Sequence, residues 1–188
     1  MTEKEKMLAG KFYKTADVEL SKMRDDARAL TEKFNNTSIL DKAERVKLLK
    51  QLFGTTGDEI LIEPTFNCDY GCHIHVGNNF FANYNCVILD VAEVRIGKNC
   101  YLGPQVGIYT ATHPINASER YNGLGLGKPI TIGDNCWIGG HAVINPGVCL
   151  GNNVVVGSGA VVTKSFGDDV VLAGNPAIVL KRITVRKK

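Results

Sequence analysis

An aliphatic residue recurs at every sixth position through the second half of the chain, at Ile132, Ile138, Ile144, Leu150, Val156 and Val162. An earlier block keeps the same spacing at Ile96, Leu102 and Ile108. A smaller side chain follows seven of these nine aliphatic positions by four residues, at Cys100, Val106, Cys136, Ala142, Val148, Val154 and Ala160. A period of six fits neither the 3.6-residue turn of a helix nor the alternation of a simple strand. Each unit is therefore predicted to form one short strand and a turn, with its aliphatic residue facing inward.

Three six-residue units make one triangular coil, and such coils stack about 4.8 Å apart through backbone hydrogen bonds. The repeat thus predicts a mainly β fold, a parallel solenoid filled by aliphatic side chains. The 20 glycines among 188 residues suit this fold, because many of its backbone sites need a positive φ or a close approach. We place the repeat glycines at the corners of the coils.

The first 58 residues have a different pattern and predict helices. Thr2 with Glu5, and Asp41 with Glu44, have the spacing of a helix-capping box. Between these pairs, apolar residues recur at helical spacing after Asp17. This segment is too short and too charged to form a core alone, so we expect it to pack on the solenoid.

Residues 59–180 are assigned to the solenoid and residues 181–188 to a basic tail. The repeat breaks between Ile108 and Ile132, where turn-forming residues are frequent. We therefore expect a loop over about 110–128 to leave the solenoid.

Composition and charge exclude several classes of protein. The formal net charge is +3 and no stretch approaches the roughly 18 apolar residues of a membrane span. The beginning of the chain lacks the apolar core of a signal peptide, so a cytoplasmic protein is expected. Basic residues cluster only in the tail, which disfavours nucleic-acid binding. Without a secretory signal, the six cysteines are interpreted as reduced thiols and not as a disulfide framework. Their spacing completes no usual zinc motif.

Five segments carry a family resemblance: Met7–Lys11, Asp69–Gly71, Phe81–Asn85, Thr112–Pro114 and Ile138–His141. Together with the repeat they resemble the maltose and galactoside O-acetyltransferases, a branch of the hexapeptide acyltransferases. The resemblance covers nearly the whole chain and implies a left-handed parallel β-helix. It also implies an enzyme that moves an acetyl group from acetyl-CoA to a sugar hydroxyl.

His113 opens the extruded loop and is the candidate catalytic residue. Imidazole, with an unperturbed pKa of about 6.5, is suited to take a proton from a hydroxyl that attacks a thioester. The resemblance implies that Asn83 lies at the acetyl group, where its amide N–H groups could stabilise the oxyanion, and the Gly140 backbone N–H is a second candidate.

Carboxylates suit sugar hydroxyls because they accept charge-assisted hydrogen bonds. Asp17, Asp69 and Asp90 are the candidates, although Asp17 could equally be a helix cap. Asp90 lies where the repeat register slips between Val76 and Ile96.

The resemblance also implies a groove for acetyl-CoA along the solenoid. Its expected lining residues are Asn83, Trp137, Gly140, Ser158, Thr163, Lys164 and Lys181. No metal is expected. The resemblance implies a homotrimer, in which the His113 loop of one subunit lies against the groove of the next.

Three other functions stay open. The acceptor could be a chitin oligosaccharide or a xenobiotic instead of maltose, glucose or a galactoside. A zinc enzyme of the carbonic anhydrase type would need three converging histidines from among His73, His75, His113 and His141. A non-catalytic solenoid scaffold would have no thioester-dependent activity at all.

Overall fold

The computed structural model describes residues 1–184. Within them the helices are α1 (Glu3–Leu8), α2 (Val18–Asn36), α3 (Lys42–Leu52) and α4 (Ala117–Tyr121). The strands are β1 (Tyr13–Lys14), β2 (Ile60–Ile62), β3 (Phe66–Cys68), β4 (Ile74–Val76), β5 (Phe80–Ala82), β6 (Cys86–Leu89), β7 (Val94–Ile96), β8 (Tyr101–Leu102), β9 (Gly107–Tyr109), β10 (Ala111–Thr112), β11 (Leu124–Gly127), β12 (Ile130–Ile132), β13 (Trp137–Ile138), β14 (Val143–Ile144), β15 (Cys149–Leu150), β16 (Val155–Val156), β17 (Val161–Val162), β18 (Val170–Ala173) and β19 (Ile178–Arg182).

Successive strands of the solenoid belong to three parallel sheets that form the sides of a prism. Sheet I contains β4, β7, β12 and β15, sheet II contains β2, β5, β8, β13, β16 and β18, and sheet III contains β3, β6, β9, β14 and β17. Strand β19 adds to β18 in the antiparallel direction and ends sheet II. The predicted parallel solenoid is thereby confirmed.

The interior of the prism is the aliphatic ladder that the six-residue period predicts. Every aliphatic position from Ile96 to Val162 that defines the repeat is at least 96% buried. The smaller residues four positions later are buried too, including Cys100 and Cys136, whose thiols contact the carbonyl oxygens of Gly133 and Gly151. These two cysteines are core residues, as predicted.

Two kinds of residue shape the corners of the coils. Gly103 and Gly139 sit where the next coil approaches closely, since a Cβ on either would lie 2.5 or 2.6 Å from a backbone nitrogen of that coil. The positive φ angles between repeats fall mostly on asparagines, such as Asn99 at 56° and Asn135 at 59°. Their side chains stack, and the Asn99 amide donates to the Asn135 Oδ1 at 2.9 Å. The repeat glycines therefore allow close stacking, whereas amide side chains take the left-handed conformation.

The helical segment closes one end of the solenoid. Thr2, Asp17 and Asp41 cap the first three helices, and the Thr2–Glu5 capping box forms as predicted. Arg45 of α3 is 5% exposed and donates to the carbonyl oxygens of Phe34, Thr37 and Ile62. One guanidinium thus joins α2, α3 and the first strand of sheet II.

The coils differ in length along the solenoid. Thr131 pairs with Cys149, 18 residues on, whereas Val76 pairs with Ile96, 20 residues on. The two additional residues of the longer coil lie in the turn that contains Asp90. They explain why the six-residue register slips between Val76 and Ile96. Val94 pairs with Ile130, so the predicted loop projects between them, and it folds into β10, α4 and β11.

No helix within residues 1–184 is long and apolar enough to cross a lipid bilayer. The predicted basic tail falls partly outside this range: Lys181 and Arg182 belong to β19, and Arg186, Lys187 and Lys188 lie outside the described residues.

Candidate active site

The His113 loop and the helical segment enclose an open cleft of about 510 Å³. We call it the histidine cleft. Its lining residues are Tyr13, Thr15, Ala16, Ser21, Arg24, Arg28, Asp69, Tyr70, Leu89, Val91, Ala111, Thr112 and His113. Two candidates from the sequence, His113 and Asp69, therefore line one cavity although they are 44 positions apart in the chain.

His113 is exposed and its ring is oriented by the opposite side of its own loop. Its Nδ1 lies 3.0 Å from the carbonyl oxygen of Leu124 on β11. Since a carbonyl oxygen only accepts, Nδ1 carries the proton in this contact. In the neutral ring Nε2 is then the nitrogen with a free lone pair, as a general base requires.

Asp69 and Asp90 have different surroundings. Asp69 is partly buried at the edge of the cleft, and burial together with the nearby Asp90 carboxylate raises its pKa. Asp90 is fully buried, and its carboxylate accepts hydrogen bonds from the backbone N–H groups of Asp69, Tyr70 and His73. The structure therefore puts Asp90 beneath the Asp69 turn, where it supports that turn and leaves no surface for a sugar.

Asp17 lies at the start of α2, beside the cleft. Its carboxylate accepts from the Leu20 N–H at 3.1 Å, which is the N-cap contact. The cleft itself is lined by the two preceding residues, Thr15 and Ala16. Of the two roles considered for Asp17, the helix cap is the one that its hydrogen bond supports.

Arg24 and Tyr70 line the cleft and were not among the residues selected from the sequence. The Arg24 Nη1 donates to the Tyr70 hydroxyl at 2.8 Å, and its guanidinium lies 5.8 Å from the centre of the Tyr70 ring. Burial raises the pKa of Tyr70. Tyr70 adjoins Asp69 and could have been suspected, whereas Arg24 lies on a helix far away in sequence with no motif around it.

Three predicted acetyl-CoA contacts align along the corner between sheets II and III. This II–III corner consists of residues 83–85, 103–105, 139–141 and 157–159, which stack through bonds such as that from the Gly159 N–H to the Gly140 oxygen, 2.9 Å. Asn83, Gly140 and Ser158 all belong to it. The Asn83 Oδ1 accepts from the Tyr84 N–H at 2.8 Å, which leaves the side-chain NH₂ as the donor end.

The other predicted acetyl-CoA contacts lie outside this corner. Trp137 and Lys181 lie on the outer surface of sheet II, where Trp137 is 56% exposed. Thr163 and Lys164 directly follow β17 and thus lie at the opposite edge of sheet III from Ser158. The structure therefore gathers the predicted residues along sheets II and III but does not unite them in one pocket.

Within one chain, the histidine cleft and the II–III corner are separate. None of Asn83, Trp137, Gly140 and Ser158 lines the cleft that contains His113 and Asp69. A larger groove of about 750 Å³ lies between the helical segment and sheet II, and it contains none of the candidates either. Trp137 continues an outward column of apolar side chains that starts with Leu61, Phe81 and Tyr101.

Apart from His113 in the cleft, the histidines lie in three other places. His73 is buried with its Nδ1 2.7 Å from the Asp90 carbonyl oxygen, His75 is on sheet I, and His141 is at the II–III corner. In residues 1–184 no group of three or more His, Cys, Asp or Glu side chains is arranged to hold a metal ion.

Two family profiles match the chain. The maltose acetyltransferase hexapeptide capping motif matches residues 6–57, which correspond to the helical segment. The bacterial transferase hexapeptide profile, with six repeats, matches residues 129–164, which follow the extruded loop.

Similar proteins match nearly the whole chain. The galactoside O-acetyltransferase of Escherichia coli is 40% identical over 98% of this chain and 91% of its own length. The structure of a maltose O-acetyltransferase from Clostridium difficile 630 superposes with a TM-score of 0.97 at 51% identity, over 98% of this chain and 99% of that one. A galactoside acetyltransferase in complex with coenzyme A gives a TM-score of 0.95 at 39% identity, over 98% and 92%.

Proposed function

Since this chain belongs to the maltose and galactoside O-acetyltransferase family of hexapeptide acetyltransferases, we propose that it transfers the acetyl group of acetyl-CoA to a hydroxyl of a sugar. The observation that carries this proposal is the orientation of His113. Its Nδ1 is bound to the Leu124 carbonyl oxygen, so Nε2 is available in a cleft that also contains a carboxylate, Asp69.

In the proposed reaction, His113 is the general base. Nε2 takes the proton of the sugar hydroxyl while the hydroxyl oxygen attacks the carbonyl carbon of the thioester. The resulting tetrahedral intermediate carries a negative oxygen, for which the Asn83 amide and the Gly140 backbone N–H are the proposed donors. When the carbon–sulfur bond breaks, the imidazolium returns its proton to the CoA thiolate. The products are an acetyl ester and free CoA.

We propose that Asp69 binds the acceptor. A carboxylate whose pKa is raised by burial gains from a hydroxyl donor, because water has already been partly removed from it. Asp90 then acts indirectly by holding the Asp69 and Tyr70 amides, and Asp17 acts as the cap of α2.

For acetyl-CoA we propose the II–III corner as the path of the pantetheine arm, with Gly140 and Ser158 beside it. The use of acetyl-CoA is supported by the relative in complex with coenzyme A, and the path is supported by the alignment of Asn83, Gly140 and Ser158 along this corner. Trp137 would supply an apolar wall, and Thr163, Lys164 and Lys181 would lie towards the phosphates. A homotrimer is proposed because His113 and this corner are separated within one chain and a neighbouring subunit could bring them together.

The test is an acceptor panel with purified protein and acetyl-CoA. Release of CoA thiol would be followed with maltose, glucose, a galactoside, a chitin oligosaccharide and an amino sugar, and each product would be identified by mass spectrometry. We expect an alkali-labile acetyl ester on at least one sugar. An alkali-stable acetyl amide as the sole product, or no acetylated sugar in the panel, would contradict sugar O-acetylation.

A further inference from the structure

Arg24 contacts the wall of the histidine cleft that contains Asp69. Its Nη1 donates to the hydroxyl of Tyr70 at 2.8 Å. Tyr70 is 3% exposed, and its backbone N–H, like that of Asp69, is bound to the buried Asp90 carboxylate. The Asp69–Tyr70 wall is therefore fixed from beneath by Asp90 and from the cleft side by Arg24.

The same guanidinium is linked through Thr15 to the loop that carries His113. The Arg24 Nη2 donates to the Thr15 carbonyl oxygen at 2.8 Å. Thr15 in turn donates from its N–H and from its Oγ1 to the Gly123 carbonyl oxygen, at 3.0 and 3.1 Å. The next residue is Leu124, whose carbonyl oxygen holds the His113 Nδ1.

We propose that Arg24 is a positioning residue that fixes the spacing between Asp69 and His113 across the cleft. This proposal rests on the proposed function, because it assumes that the acceptor binds between these two walls. Arg24 itself would not touch the reacting atoms.

The chemistry of the side chain suits this role. A guanidinium is planar and presents donors in a rigid fork, so it can hold two acceptors at a fixed separation. These two acceptors and the Ser21 hydroxyl, which lies 3.0 Å from Nη2, are uncharged oxygens. A lysine ammonium could not reach the Tyr70 and Thr15 oxygens in the same geometry. A displacement of about 1 Å between reacting groups can reduce a rate by about 10²-fold.

The first test uses Arg24→Met, which keeps an unbranched stem next to Tyr70 and removes the fork. We expect kcat/KM for the acceptor to fall by about 10- to 100-fold, with KM for acetyl-CoA unchanged. Arg24→Lys should recover little of this loss. The matched control is Lys22→Met, because Lys22 lies on the same helix, forms an exposed ion pair with Asp26 and does not line the cleft. This control should change kcat/KM less than threefold.

A double-mutant cycle tests whether Arg24 acts through Tyr70. If it does, the loss in Arg24→Met/Tyr70→Phe should be smaller than the product of the two single losses. Equal losses in Arg24→Met and Lys22→Met would instead indicate a general charge effect and would overturn the proposal. The proposal would also be overturned if kcat/KM of Arg24→Met stayed within threefold of the wild-type value.

Hydrogen exchange provides a readout that needs no acceptor. In Arg24→Met we expect the Thr15 amide to exchange faster, because the carbonyl of the same residue loses its anchor, while amides of sheet III keep their rates. Unchanged exchange at Thr15 would refute the link between the two walls. Failure of the proposed function would appear separately, as a wild-type enzyme that acetylates no sugar.

Discussion

The Nδ1 of His113 lies 3.0 Å from the carbonyl oxygen of Leu124, so the two sides of the extruded loop are joined by the imidazole itself. The loop neck is also closed by the Lys128 N–H, which donates to the Thr110 carbonyl oxygen at 2.9 Å. This arrangement fixes the ring and its tautomer before any substrate arrives.

Replacing His113 by alanine should abolish most acetyl transfer. We expect kcat/KM to fall by about 10²- to 10⁴-fold, the contribution typical of a general base, while the dissociation constant of CoA stays within threefold. Steady-state kinetics and calorimetric titration with CoA measure the two quantities. His75→Gln is the control, because His75 lies on sheet I outside the cleft. Transfer at near wild-type rate in His113→Ala would remove this residue from the mechanism.

Mixed assemblies should test whether the site is shared between subunits. We expect His113→Ala and Gly140→Trp each to be inactive, the second because its indole would block the pantetheine path. Co-assembly should restore part of the activity, since some interfaces then pair an intact histidine with an intact corner. Native mass spectrometry verifies the mixed species.

The control for the bulky residue is Gly167→Trp, where no atom lies within 4 Å of an added Cβ. Ser158→Tyr serves as a second variant of the II–III corner, in case a tryptophan at Gly140 disturbs the coil next to Pro104. Mixed assemblies that form but stay inactive with both variants would show that the site is built within one subunit.

Asp69→Asn should lower acetyl transfer and stabilise the protein at neutral pH. Burial raises the pKa of Asp69, so this residue favours folding most below its unfolded pKa of about 3.9, and that contribution is lost as pH rises through the folded value. The uncharged amide avoids this loss. Thermal unfolding should therefore give a higher Tm for Asp69→Asn at pH 7 and a shrinking difference towards pH 4. A lower Tm at pH 7 would mean that the attraction of Arg24 and Arg28 for the Asp69 carboxylate stabilises the fold by more than burial of the charge destabilises it.

Arg45→Met should destabilise the fold without touching the candidate site. The change leaves three carbonyl oxygens, of Phe34, Thr37 and Ile62, without their donor. We expect a loss of roughly 2 to 4 kcal/mol in the free energy of unfolding, because buried unpaired acceptors keep their desolvation cost. Denaturant unfolding measures it. Lys47→Met, which removes an exposed ion pair with Glu44, should cost less than about 1 kcal/mol, and equal losses would contradict the role of Arg45.

The sequence by itself determined the solenoid. A six-residue period encodes which side chains face inward, and this local alternation predicts the strands, the core and the break from which the loop emerges. Helix caps such as Thr2 and Asp41 are equally local, because donor and acceptor are three residues apart.

Only the tertiary structure decided which carboxylate faces the cleft. Asp69 and Asp90 are the same residue type, but Asp90 is buried because it bonds to backbone groups 17 to 21 positions away. Arg24 reaches Tyr70 across 46 positions. Side-chain periodicity carries no information about such contacts, since they depend on how the helical segment docks on the coils. The separation of His113 from the II–III corner follows from the same packing, because it is set by where the loop and the corner lie on the prism.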